Sequence, residues 1–165
     1  MMPADLRDPI WYFAYASNLC RAIFRERRGM QPLDSRRARL EGYGLRFDLP
    51  VGPGERGVAN VGPDPAAHVW GAVYLLAHAD CERLDRSEGV HVGLYHRIAV
   101  DVALDGGDRV SAFTYRSVWS SAGRKPSARY LGLMLDGARE HALPAEYVAF
   151  LERLDRAVDE REARP

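Results

Sequence analysis

The hydrophobic period of this chain changes once, and that change limits the fold class. Up to Ser117 the apolar residues fall in short runs or alternate, broken by Gly and Pro; Ile98, Val100, Val102 and Leu104 share one face of an extended segment. From Ser127 the spacing becomes helical. Tyr130, Leu131, Met134, Leu135 and Ala138 mark one helix face, and Tyr147, Phe150, Leu151 and Leu154 recur behind Pro144. Strands that dominate the first two thirds, followed by helices, predict an α+β fold. No repeat or linker interrupts the pattern. The 165 residues therefore read as a single domain, 1–165, with a core over about 11–154 and a charged C-terminal tail, "DEREARP", expected to fray.

The spacing predicts strands at Trp11–Tyr15, at Ala38–Leu49 with an interruption at Gly42-Tyr43-Gly44, and at Gly57–Val61 and Val69–Ala77. Two more, Tyr95–Leu104 and Arg109–Ser117, join at Gly106-Gly107. Pro50–Gly57 reads as a loop, and Asp80–Arg86 as a short helix. The junction "WYFAYASNLCRAIFRERR" is the least ordinary segment. An aromatic strand passes through Ala16-Ser17-Asn18 straight into a helix over about Leu19–Arg28, ended by Gly29. Ser17 or Asn18 is placed to cap that helix. Such a turn aims unpaired backbone N–H groups at one spot, which suits a carbonyl oxygen or an anion.

Several function classes are excluded. Net formal charge is zero, so no bulk electrostatic argument favours a nucleic-acid or membrane partner. Arg21, Arg25 and Arg28 share a helix face, but Glu26 interleaves them and they read as a solvated surface. No apolar run approaches the ~20 residues of a membrane span, and the N-terminus lacks the apolar stretch of a signal peptide. Cys20 and Cys81 form no ligand motif and read as free thiols in a reducing cytoplasm. "GPGERG" matches a dinucleotide fingerprint only literally, since an extended segment follows it. The five histidines hold no metal-ligand spacing, so neither metal nor cofactor is expected. Ser17 lacks a G-x-S-x-G elbow. Glu88, in "LDRSEGVHVGLYHR", is different. Gly89 and Gly93 suggest backbone bent sharply around this acid, and partial desolvation there would raise its pKa toward the range useful for proton transfer.

Two segments resemble one family. "YFAYASNL" (Tyr12–Leu19) is similar to the Y-F-A-Y-G-S-N-L motif of the γ-glutamylcyclotransferases, and "LDRSEGVHVGLYHR" to that family's L-D-x-x-E-G-V-x-x-G-x-Y segment. The resemblance continues through "VWGAVYLL", Tyr115 and "KPSARYLGLMLDGAREHALPAEYVAFL", and spans about Trp11–Leu154. It implies the AIG2-like, γ-glutamyl cyclotransferase-like fold: a small, mixed, curved, barrel-like sheet with helices packed outside. It also implies cofactor-independent cleavage of a γ-glutamyl amide by the substrate's own α-amine, giving 5-oxoproline and a free amine. Glu88 would be the general base and then the general acid. Tyr12, Phe13, Ala14, Tyr15, Ala16, Ser17 and Asn18 would line the substrate site, and Tyr95, Tyr115 and Tyr130 would close over it. The chain departs from the family at Ala16, where the family has Gly. Either the turn keeps φ negative and the methyl group is harmless, or the pocket is narrower. The expected partner is a small γ-glutamyl compound in the cytoplasm, with no nucleic acid and no membrane; a homodimer stays open. Alternatives are a non-catalytic binding module on the same scaffold and a serine hydrolase using Ser17. Among substrates, γ-glutamyl amines, glutathione-like peptides and γ-glutamyl-protected biosynthetic intermediates are unranked.

Overall fold

The computed structural model describes residues 7–158. The tail "DEREARP" and the first six residues, on which part of the leader reading rests, lie outside the described residues. Five strands close into a barrel in the order β1-β3-β2-β4-β5: β1 (Ile10–Ala14), β2 (Asp34–Pro50), β3 (Gly57–Leu76), β4 (His96–Leu104) and β5 (Arg109–Arg116). All pairs are antiparallel except β1 with β5, which meet in parallel at Tyr12 and Phe113 and complete the closure. Three α-helices pack outside: α1 (His78–Ser87), α2 (Ala128–Glu140) and α3 (Ala145–Glu152). The mixed, barrel-like α+β architecture is the expected one. Among the described residues no helix is long and apolar enough to cross a membrane.

Local sequence explains most element ends. Ser127 caps α2 by accepting from the Tyr130 amide, and Pro144 opens α3. Gly42, at φ +80, takes the irregularity where the β2–β3 register shifts between Glu41 and Tyr43, so the predicted interruption is a bulge within one strand.

Three expectations are corrected. Gly57–Val61 and Val69–Ala77 are not separate strands. The backbone stays extended through Pro63 and Pro65, because that stretch is exposed and a proline's φ fits a strand wherever its missing N–H is not needed. The first helix is not an α-helix over Leu19–Arg28. Ser17–Leu19 is one 3₁₀ turn and Ala22–Arg27 a single π-helical stretch, closed by Arg28 N–H donating to Ile23 O at 2.9 Å. Tertiary packing overrides the helical spacing there: Phe24 is fully buried, stacked on Tyr74 at 4.3 Å, and a segment this short has little helical stability of its own. Neither Ser17 nor Asn18 caps the segment with its side chain.

Candidate active site

Glu88 sits where α1 stops. Its amide donates to Leu84 O at 2.9 Å, and Gly89 then turns left-handed at φ +68. Only glycine takes that conformation without penalty, and a Cβ there would also press on Leu94 at 2.9 Å. The acid is thus fixed at a helix end, half-buried, with its carboxyl group turned toward the end of β1. Between them lies a cavity of about 40 Å³, about 320 Å³ of empty space counting its open mouth. Its walls are Tyr12, Tyr15, Ala16, Ser17, Asn18, Ala59, Glu88, Tyr95, Tyr115 and Tyr130.

Asn18 organises this wall. Its Nδ2 donates to Glu88 Oε1 at 2.8 Å and to the Tyr12 hydroxyl at 2.9 Å. Its own side-chain oxygen is buried without a partner among the described residues. Its backbone oxygen accepts from the Tyr74 hydroxyl at 3.0 Å, so the turn is held from behind as well. Tyr74 also meets His141 Nε2 at 2.9 Å, and that nitrogen lies 3.1 Å from Leu19 O. The backbone N–H groups of Ser17 and Asn18 open the 3₁₀ turn, where no acceptor within the turn exists for them.

Charge in the cavity comes down to one group. Burial pushes the Glu88 carboxyl upward from its ordinary 4.5; the positive field of Arg28 and the Asn18 hydrogen bond pull it partly back. Burial raises all five wall phenols above their usual 10, so they stay neutral. Three spend their protons on the protein. Tyr15 donates to Tyr115 O at 2.7 Å, Tyr95 to Ala59 O at 2.6 Å, and Tyr115 to Asp85 Oδ1 at 2.6 Å. Tyr12 accepts from Asn18, which leaves its own proton for donation. Glu88 is therefore the one carboxyl group on the cavity wall, and burial raises its pKa.

The structure brings Tyr12, Tyr15, Ala16, Ser17, Asn18, Glu88, Tyr95, Tyr115 and Tyr130 together, as expected. Phe13 and Ala14 fall elsewhere. Both are fully buried in the strand, where Phe13 packs over Gly71 and its carbonyl accepts from Thr114 Oγ1 at 2.7 Å. Alternation along β1 sends Phe13 to the face opposite Tyr12, while Ala14, on the same face as Tyr12, is fully buried and does not reach the cavity. Ala16 has φ −132, so the methyl group replaces the family glycine without a left-handed backbone. Ser17 and Tyr130 line the same cavity, and no histidine lines it to activate the Ser17 hydroxyl.

Three participants escape the sequence reading. Ala59 acts through its main chain, donating to the Tyr130 hydroxyl at 3.1 Å and accepting from Tyr95; no side chain announces that. Asp85 clamps Tyr115 and is itself bonded to Arg97 Nε at 2.8 Å. Its spacing, three residues before Glu88 on one helix face, was a usable signal. Arg28 was masked by the arginines around it. Among the described residues, no His, Cys, Asp or Glu cluster gathers to hold a metal.

Known proteins share this arrangement of chain. The AIG2-like family profile matches residues 68–151. A γ-glutamylcyclotransferase of Bos taurus is 31% identical over 159 residues, covering 92% of this chain and 84% of that one. A γ-glutamyl cyclotransferase of Aspergillus fumigatus, gliK, is 30% identical over 184 residues, covering 93% and 66%. A solved γ-glutamyl cyclotransferase superposes with a TM-score of 0.82 at 27% identity, covering 93% of this chain and 92% of that one.

Proposed function

The chain belongs to the AIG2-like, γ-glutamylcyclotransferase family, and from that footing we propose that it is itself a cofactor-independent γ-glutamylcyclotransferase with Glu88 as its proton relay. The observation that carries this is the Glu88 carboxyl, desolvated yet held at 2.8 Å by Asn18, as the one carboxyl group on the cavity wall. A carboxylate whose pKa is raised can take a proton and give it back near neutral pH.

The reaction needs little else. The α-ammonium of the γ-glutamyl group first loses one proton to become nucleophilic. The amine then attacks the γ-carbonyl carbon of the same molecule, and a C–N bond closes a five-membered ring. Charge builds on the carbonyl oxygen, for which the Ser17 and Asn18 amides and the Tyr12 hydroxyl are the available donors. Glu88 takes the second proton from the attacking nitrogen and passes it to the leaving nitrogen as the old amide bond breaks. Products are 5-oxoproline and a free amine, which regains the first proton in water. Both reacting groups belong to one substrate, so holding it folded contributes on the order of 7–11 kcal/mol in favourable cases. The free, buried thiols of Cys20 and Cys81 suit a reducing cytoplasm.

The test is incubation with γ-glutamyl-alanine, with products read by mass, beside Glu88→Gln. The wild type should release equal amounts of 5-oxoproline and alanine, and the variant should be slower by about 10²–10⁴-fold. No product from the wild type refutes the activity on this substrate and favours a binding module. Equal rates in both proteins remove Glu88 from its role. Free glutamate in place of 5-oxoproline would mark hydrolysis instead.

A further inference from the structure

The cavity opens to solvent, so the amine half of a γ-glutamyl amide can extend beyond its walls. Where it lies follows from Glu88. The leaving nitrogen must come within hydrogen-bond reach of that carboxyl to be protonated, so its substituent emerges beside Glu88 and meets the rim there. Two segments outside the cavity lining adjoin its wall residues along the chain. Residues 89–94 run between Glu88 and Tyr95, and residues 118–123 follow shortly after Tyr115.

Both segments carry exposed apolar side chains. Val92 is 72% exposed, Val118 78% and Trp119 58%, and Leu94 is also exposed. They are joined: the Trp119 indole N–H reaches Gly93 O at 3.4 Å, its backbone N–H is held by Ser117 Oγ at 3.2 Å, and Leu94 packs on Gly89, next to the acid. Neither segment carries a Lys, Arg, Asp or Glu. The acid tied to the 118–123 segment is Asp48, bonded to Ser120 Oγ at 3.0 Å and Ser121 N at 2.8 Å. With exposed apolar side chains, no Lys or Arg, a single histidine (His91) and one carboxylate beside them, these segments offer little to pair with an amine that itself carries a carboxylate. Exposed apolar surface of this kind is a mark of a binding groove.

Resting on the cyclotransferase reading, we propose that Val92, Leu94, Val118 and Trp119 form the leaving-group shelf, and that the substrates are γ-glutamyl amides of apolar, uncharged amines, aromatic ones above all. The shelf ranks γ-glutamyl amines above glutathione-like peptides, which end in a carboxylate.

Three substrates test it: γ-glutamyl-benzylamide, γ-glutamyl-phenylalanine and γ-glutamyl-alanine. The benzylamide should exceed the alanine compound in kcat/KM by about tenfold or more. The phenylalanine compound, aromatic but carboxylate-bearing, should fall between. Trp119→Ser should bring the benzylamide-to-alanine ratio close to one, and Val92→Ser should lower it by a smaller factor; both side chains are exposed, so each variant should melt with the wild type. A wild-type ratio at or below one, or a ratio unmoved in both variants, overturns the shelf. Binding of the same compounds to Glu88→Gln, read by calorimetry, separates the two proposals. A benzylamide preference in binding, with no 5-oxoproline from any compound in the wild type, upholds the shelf and refutes the cyclotransferase. Like rates and like affinities for all three uphold the enzyme and refute the shelf.

Discussion

Gly137→Ala is the substitution that most directly tests how the site is held. Gly137 lies on α2 against the turn that carries Asn18. A Cβ there would stand 2.4 Å from Leu19 Cβ, 2.5 Å from the Leu19 carbonyl carbon and 2.7 Å from the Cys20 nitrogen. Ordinary carbon contacts lie near 3.5–4.0 Å, so the turn or the helix must yield by roughly 1 Å. Two of the three obstructing atoms are backbone and Leu19 is fully buried, so no flexible side chain can absorb the move. Overpacking of this kind costs about 1–3 kcal/mol, and the backbone contact argues for the upper end. Gly→Ala returns about 1 kcal/mol of helix propensity, leaving a net loss of about 2 kcal/mol. At this chain length that is a fall in Tm of about 4–8 °C. A shift of ~1 Å in the turn should also lower kcat by on the order of 10²-fold. Gly132, on the same helix, is the control: nothing lies within 4 Å of its Cβ position. Gly132→Ala should gain about 1 kcal/mol and melt slightly higher. Thermal unfolding by circular dichroism and steady-state release of 5-oxoproline read both effects. If Gly137→Ala melts with Gly132→Ala and keeps its kcat within about twofold, close packing of α2 is not what positions the turn.

Three further outcomes follow from the cavity. Burial raises the folded-state pKa of Glu88, so its ionised form opposes folding: the cost is absent below the unfolded carboxyl's pKa of about 4.3 and grows as pH rises through the folded value. Glu88→Gln should therefore melt above the wild type at neutral pH, with the gap closing toward pH 4; a gap that widens on acidification contradicts the buried carboxylate. The Asn18 hydrogen bond holds the Glu88 pKa down, so Asn18→Ala should lower kcat and shift the acid limb of kcat/KM to higher pH, and an unmoved limb would break the link between the two side chains. With Ala16 at negative φ, Ala16→Gly should change turnover of γ-glutamyl-alanine less than about tenfold, and a larger gain would mean that the methyl group narrows the pocket.

How much of this was legible depended on whether the information was local. The change of period at Ser127 locates α2 and α3 because each helix writes its buried face into its own residues. The Gly89 turn that fixes Glu88 is legible for the same reason. Barrel closure is not, because it hangs on one parallel register, Tyr12 with Phe113, between residues far apart in sequence. Pro63 and Pro65 misled because a proline breaks a strand only where its N–H is needed, and exposure decides that need. A contiguous motif places Phe13 and Ala14 with the site residues, but strand alternation turns Phe13 to the other face, and Ala14 is buried short of the cavity. Ala59 left no trace, since it contributes only peptide groups that any residue would supply.

The arrangement also accounts for why so few wall residues need chemistry of their own. On the proposed reading, an intramolecular attack asks for one proton carrier and a mould, and the phenols would supply the mould by being committed elsewhere. Tyr15, Tyr95 and Tyr115 each donate to a protein oxygen, which locks their rings and withholds their protons from competing with Glu88. Asn18 then becomes the pivot: its side chain joins Glu88 to Tyr12, and its carbonyl is tied through Tyr74 to His141 at the end of α2. The same helix presses Gly137 against Leu19. The Asn18 turn is thus held by the far end of a helix that meets the cavity itself only through Tyr130 near its start, and this is why a single methyl group at Gly137 should be felt at the carboxyl of Glu88.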